Sequence, residues 1–275
     1  MDGTGDRPLA PRVDAEQGAM KHMTIGEHLD ELRKRLFYAV IGLFIAVVAC
    51  LFFGKSLIRA IELPFTQAVA RAAEKAPGKI DQHTALKFTD VTGPFTMYLK
   101  ISFFAALVIA APWVFYQLWM FVAAGLYQRE RKWVQISIPF SVLLFLLGAW
   151  FAVFLSIPAI EFFILFGAGL DMEPIVTLTD YVDFMTNLVL AFGVVFEMPL
   201  VVLLLAKIGL MDMKKFNHFR PHVVVIIAVI AAVLAPPDFW SMVAMILPMW
   251  VLYEFGVLLA WLLILRKQKP VEIVD

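Results

Sequence analysis

Six long apolar runs, parted by charged or proline-bearing connections, decide what this chain can fold into. They cover Leu36–Phe53, Ile101–Val122, Val134–Leu155, Phe184–Ala206, Pro221–Ala235 and Phe239–Leu265. At a rise of 1.5 Å per residue, roughly 20 apolar residues cross a hydrocarbon core of about 30 Å as a helix. No water is present there to satisfy backbone N–H and C=O groups, so a spanning run of this kind must be helical. Composition agrees: 61% of residues are hydrophobic and only 17% charged, with mean hydropathy +0.82, whereas soluble domains carry about a quarter charged. The expected fold is an all-α polytopic membrane protein with six transmembrane helices.

The six spans are not equivalent. Arg220 and the Pro236-Pro237 pair limit the fifth run to 15 residues, or about 23 Å of helix, which requires local thinning of the bilayer or leaves one end below its surface. Glu254 interrupts the sixth. Pro112, Pro139, Pro199 and Pro248 fall within the runs and predict kinks. The helices are therefore expected to be kinked and tilted, with the last two short.

Lys and Arg in the short connections set the direction of the chain. Arg33, Lys34 and Arg35 precede the first span; Arg129, Arg131 and Lys132 lie between the second and third. Lys207, Lys214, Lys215 and Arg220 lie between the fourth and fifth, and Arg266, Lys267 and Lys269 follow the sixth. Gly167–Asp183 has no Lys or Arg but carries four acids, and the last turn carries only Asp238. Both termini are therefore expected on the cytoplasmic side of a bacterial inner membrane. Residues 1–22 are polar, contain Pro8 and Pro11 and lack a secretory h-region, which suits a disordered tail. The transmembrane domain then covers 23–265, followed by a cytoplasmic tail at 266–275.

Between the first two spans, Ser56–Lys75 places Leu57, Ile61, Pro64 and Phe65 near one face. This predicts an amphipathic helix on the outer surface, broken at Pro64. Thr24 to Glu27 has capping-box spacing and predicts a short cytoplasmic helix that lies on the membrane and runs into span one. Thr177 to Asp180 predicts a cap before span four.

The sequence contains no HExxH, Walker loop or nucleophile elbow, and its five histidines are scattered. No catalytic residue, metal or cofactor is expected. The net charge of zero gives no indication of a nucleic-acid partner. Cys50, the single cysteine, cannot form an internal disulfide and reads as a small apolar side chain. The conspicuous groups are acids inside apolar runs. Glu197 lies 14 residues after Asp183 and 10 before Lys207, where a carboxylate costs several kcal/mol unless protonated, solvated or paired. It reads either as a functional acid or as a partner for the carbonyl freed by Pro199. Glu254 poses the same choice nearer the cytoplasmic side. Two functions accommodate such acids when the residues are read alone: a proton-coupled secondary transporter using Glu197 and Glu254, and a purely structural scaffold. The transporter lacks the inverted repeat and paired broken helices expected of that class.

Several segments together resemble the TatC family, the multispanning subunit of the twin-arginine protein translocase. They are His28-Leu-Asp-Glu-Leu-Arg-Lys-Arg-Leu36, Thr89 to Phe95, Pro112 with Tyr116 to Phe121, and Gly125 to Arg131. Ala191 to Pro199, Arg220-Pro221, Leu234 to Asp238, and Pro248-Met249 with Glu254 complete the set. The resemblance implies a receptor for signal peptides with consecutive arginines, which exports folded proteins using the proton motive force. It assigns Glu31 and Glu130 to the arginine pair, with Phe121, Leu126 and Arg33 beside them. Carboxylates accept guanidinium forks bidentately, which suits that role. Read alone, Glu31 could instead pair with Arg35 at i+4, and Glu130 is flanked by Arg129 and Arg131. The resemblance also places Glu197 on a concave groove where single-span TatA- or TatB-type helices pack. Glu254 and Arg220 shape the last two helices, and Pro64, Pro237 and Asp238 are structural. A homo-oligomer within a larger complex in the lipid bilayer is implied. Two positions depart from the family pattern: Ala124 stands where proline is usual, and Met242 where some relatives carry glutamine.

Overall fold

The computed structural model describes residues 25–81, 84–88, 91–125, 131–172, 175–234 and 239–263. Eight helices succeed one another along them: α1 Ile25–Phe52, α2 Gly54–Lys75, α3 Gly93–Gly125, α4 Arg131–Gly169, α5 Leu178–Val195, α6 Met198–Lys207, α7 Met213–Leu234 and α8 Phe239–Leu263. No strand is present among the described residues; a single bridge joins Lys87 and Thr177. Six segments are long and apolar enough to cross a membrane: α1, α3, α4, α5 with α6, α7 and α8.

Several helices overrun the apolar runs that announce them. α3 has 33 residues and α4 has 39, or about 50 and 58 Å, so each extends beyond a hydrocarbon core of about 30 Å unless strongly tilted. α4 continues through Pro158 past Leu155, the expected end of the third span. Two expectations are corrected. α2 is not broken at Pro64 but continues through it. Its buried Phe65, Ala68, Val69, Ala72 and Ala73 follow i, i+3, i+4, i+7, i+8 spacing. They pack with Met97 and Ile101 of α3, Ile160 and Ile164 of α4, and Val182 and Met185 of α5. The Tyr181 hydroxyl donates to the Ile61 carbonyl, near the bond that Pro64 cannot make. The fifth span is likewise not limited at Arg220, because α7 begins at Met213 and passes through Pro221 for 22 residues. Only its apolar part is short.

The segment before span one is continuous with it: α1 is one helix of 28 residues. Thr24 lies outside the described residues. Thr177 does cap α5, its hydroxyl accepting from the Asp180 amide at 3.1 Å. The fourth span is interrupted at Phe196 and Glu197, between α5 and α6.

Packing is uneven. α1 lies along α3 and leaves Phe37, Ile41, Phe44, Ile45 and Phe52 exposed. The α5–α8 core is built on Phe192, Phe216, Met245, Met249 and Tyr253. An open apolar cavity of about 330 Å³ is bounded by α2, α3, α4 and α5, with Pro64, Phe104, Val108 and Met185 in its wall. Cys50 is buried and unpaired.

Candidate functional site

At the N-terminal end of α1, α3 presents a stripe of residues spaced by four: Trp113, Gln117, Phe121 and Gly125. Such spacing keeps side chains on one helix face, and α1 runs along this one. Trp113 Nε1 donates to the Tyr38 carbonyl at 2.8 Å. A Cβ on Gly42 would lie 2.2 Å from the Trp113 ring, so only glycine admits the indole there. Arg35 Nη1 donates to Gln117 Oε1 at 3.3 Å. The His28 ring stacks on Phe121 with centroids 4.4 Å apart, and Gly125 passes close to His28.

Glu31 sits within this contact. Arg35 Nε donates to Glu31 Oε1 at 2.6 Å, with both side chains about four-fifths buried. The i+4 pairing legible in the sequence is therefore present. Arg33, two residues from Glu31, cannot share its helix face; it is exposed and lines a shallow groove with Asp30, Lys34 and Phe37. Phe121 is half-buried against His28. Glu130, Leu126, Pro237 and Asp238 lie outside the described residues.

A second polar cluster lies between α3, α4 and the α5–α6 break. Trp119 Nε1 donates to Ser141 Oγ at 2.7 Å, and the Ser141 hydroxyl donates to Glu197 Oε2 at 2.8 Å. Ser141 is fully buried and Trp119 nearly so. Glu197 Oε1 is buried without a hydrogen-bond partner among the described residues. Glu197 therefore answers a serine hydroxyl and not a backbone carbonyl freed by Pro199. It is not among the residues lining the apolar cavity. At a third place, Arg220 Nη2 of α7 meets Glu254 Oε2 of α8 at 2.7 Å, so Glu254 is an ion-pair partner.

Sequence reading assigned no contact to His28, Gln117, Trp119 or Ser141. A polar residue inside an apolar run is the signal that finds Gln117 and Ser141. Glu161 lies past the expected end of the third span, where α4 continues; it is 7% exposed and pairs with Lys75 at 2.5 Å. Among the described residues, no group of three or more His, Cys, Asp or Glu could hold a metal.

Comparison with known proteins identifies the family of the chain. The family model of the Sec-independent protein translocase protein TatC matches residues 27–248. TatC of Campylobacter jejuni is 38% identical over 234 residues, covering 84% of this chain and 91% of that protein. TatC of Koribacter versatilis is 34% identical over 255 residues (92% and 90%), and TatC of Escherichia coli K12 31% over 230 residues (84% and 85%). A crystal structure of the twin arginine translocase receptor TatC superposes with TM-score 0.73 at 33% identity, over 86% of this chain and 99% of that one. The chain belongs to the TatC family, and is thus a multi-pass membrane component of the Sec-independent protein translocase and not an enzyme.

Proposed function

We propose that this chain is the receptor subunit of the twin-arginine translocase. Glu31 and Glu130 take the arginine pair of a signal peptide at the cytoplasmic face, and Phe121, Leu126 and Arg33 border the peptide. One observation carries this reading: the Glu31 carboxylate already holds a guanidinium at 2.6 Å, at the end of the molecule where the Arg33–Arg35 cluster puts the cytoplasm. A solved relative is called a twin arginine translocase receptor, which supports the same reading. Both termini then face the cytoplasm of a bacterial cell, in its inner membrane. Glu197 marks the groove on which single-span TatA- or TatB-type helices pack, and the proton motive force drives export from a homo-oligomeric assembly. The Arg220–Glu254 pair weighs against a proton-coupled transporter, because it occupies one of the two acids that reading needs.

Cross-linking from a photoreactive residue at position 121 tests the assignment. Peptides bearing Arg-Arg are expected to be captured well in excess of Lys-Lys versions, and Glu31→Gln is expected to erase the difference. Equal capture of both peptides by the unmodified receptor would exclude this role.

A further inference from the structure

The Glu31 carboxylate is occupied in this structure by an arginine of its own chain. Arg35 Nε donates to Glu31 Oε1 at 2.6 Å, and Arg35 Nη1 donates to Gln117 Oε1 at 3.3 Å. An i, i+4 ion pair on an exposed helix is a weak, mobile contact. This one differs in two ways. Its side chains are only 21% and 18% exposed, and it is completed from a second helix by Gln117, itself 3% exposed.

A guanidinium has five N–H donors and no acceptor, so a site for it is a set of fixed acceptor oxygens. Glu31 Oε1 and Gln117 Oε1 form such a set. The Trp113 and His28–Phe121 contacts on either side of Gln117 along α3 hold the two helices in register. Left empty, the site would contain a largely buried carboxylate with no cation, which is unfavourable. Arg35 prevents that.

Resting on the receptor role of Glu31, we propose that Arg35 is an internal occupant of the guanidinium site. An arginine of the signal peptide displaces it, and Gln117 Oε1 serves as the second acceptor. Recognition is then an exchange of one guanidinium for another. The free receptor keeps its acceptors preorganised, and affinity is lower than an empty site would give.

The sign of a mutational effect tests this. The full chain in lipid nanodiscs is titrated with a fluorescent Arg-Arg signal peptide. Arg35→Lys retains the charge but cannot bridge both acceptors with a planar fork; Arg35→Met removes the occupant. Both variants are expected to bind the peptide about 3- to 10-fold more tightly, the range of a partly buried ion pair. Weaker or unchanged binding in both variants means that Arg35 only orients Glu31, and overturns the exchange. Tightening in Arg35→Met alone means relief of charge repulsion, and overturns it too. Glu31→Gln separates the two levels. If it retains wild-type affinity and preference for Arg-Arg, the receptor reading of Glu31 fails. If it loses them while the Arg35 variants do not tighten, the exchange fails alone. A measurement on the unmutated chain does not depend on variant folding. The Arg35 Nε–H signal in ¹⁵N-arginine spectra is expected to be protected in the free receptor and to exchange with solvent once peptide saturates. Persistence of protection at saturation overturns the proposal.

Discussion

Polar atoms inside an apolar bundle have few partners, and this makes the hydrogen-bond direction at Glu197 readable. An indole N–H only donates. Trp119 Nε1 therefore uses Ser141 Oγ as acceptor, and the serine hydrogen is left for Glu197 Oε2. Ser141→Ala strips both neighbours of their partner at once. Leaving buried polar groups unsatisfied costs about 1–3 kcal/mol, so a clear fall in thermal stability in detergent is expected. Glu197→Gln, which keeps a carbonyl acceptor, is expected to change stability much less. Outside this chain of donors, Glu161 relies on Lys75. Lys75→Met leaves a buried carboxylate unpaired and is expected to destabilise by about 1–3 kcal/mol. Adding Glu161→Gln to Lys75→Met should recover most of the loss in a double-mutant cycle, and independent, additive losses would show that the two groups do not act as a pair.

Between helices, small residues decide how closely backbones approach, as expected where lipid removes much of the hydrophobic drive for association. A Cβ on Gly148 of α4 would lie 2.5 Å from the Phe192 carbonyl oxygen of α5, and one on Gly193 would lie 2.6 Å from the Phe145 ring. The two glycines interlock α4 with α5. A backbone oxygen cannot move aside as a side-chain tip can, so Gly148→Ala is expected to cost about 1–3 kcal/mol by overpacking. Gly167, on the same helix with open space around it, is the control. There alanine is expected to be neutral or stabilising by up to about 1 kcal/mol, since glycine is a poor helix former. Equal losses at both positions, measured by thermal unfolding, would refute the close-approach argument. At the α5–α6 break, Pro199 falls in the first turn of α6, where its missing N–H has no intrahelical partner to lose.

Across the whole molecule, the end opposite Glu31 is fastened by ion pairs between segments far apart in sequence: Lys75 with Glu161, Lys79 with Asp171, and Lys100 with Asp183. They tie α2 and the chain after it, together with α3, to α4 and α5. The Lys79 pair sits at the α4 C-terminus, where Asp171 takes a left-handed φ of 57°, a conformation that Asp and Asn tolerate. The hydrogen bond and charge of Lys79 hold the Asp171 carboxyl below its ordinary 3.8. A depressed carboxylate stabilises the fold above its unfolded value and loses that contribution as pH falls through the folded one. Acidification to pH 5 should therefore leave this fastening intact. Amide protection factors at Leu170–Met172, which correct for the intrinsic pH dependence of exchange, are expected to fall only below about pH 4. Asp171→Asn keeps the backbone conformation and removes the charge, so its protection factors should be low and flat across that range. A midpoint near pH 6 in the wild type would contradict the pairing.

The class and the number of spans were legible in the residues alone, because apolar runs of about 20 residues satisfy their backbone in lipid as helices. The Thr177 cap was legible too, and the Glu31–Arg35 pair stood as one of two alternatives, since both are local and arise from helical spacing. Tertiary structure decided the rest. Neither the continuity of α2 through Pro64 nor that of α7 through Pro221 is legible in the sequence, because tolerance of proline depends on what neighbouring elements supply. The partners of Glu197, Glu254, Glu161 and Gln117 lie 56, 34, 86 and 82 residues away. No period or short motif encodes a contact at that separation. Glu197 and Glu254 could be found as anomalies in apolar runs, but which hydroxyl, guanidinium or ammonium answers each acid is fixed only when the helices pack.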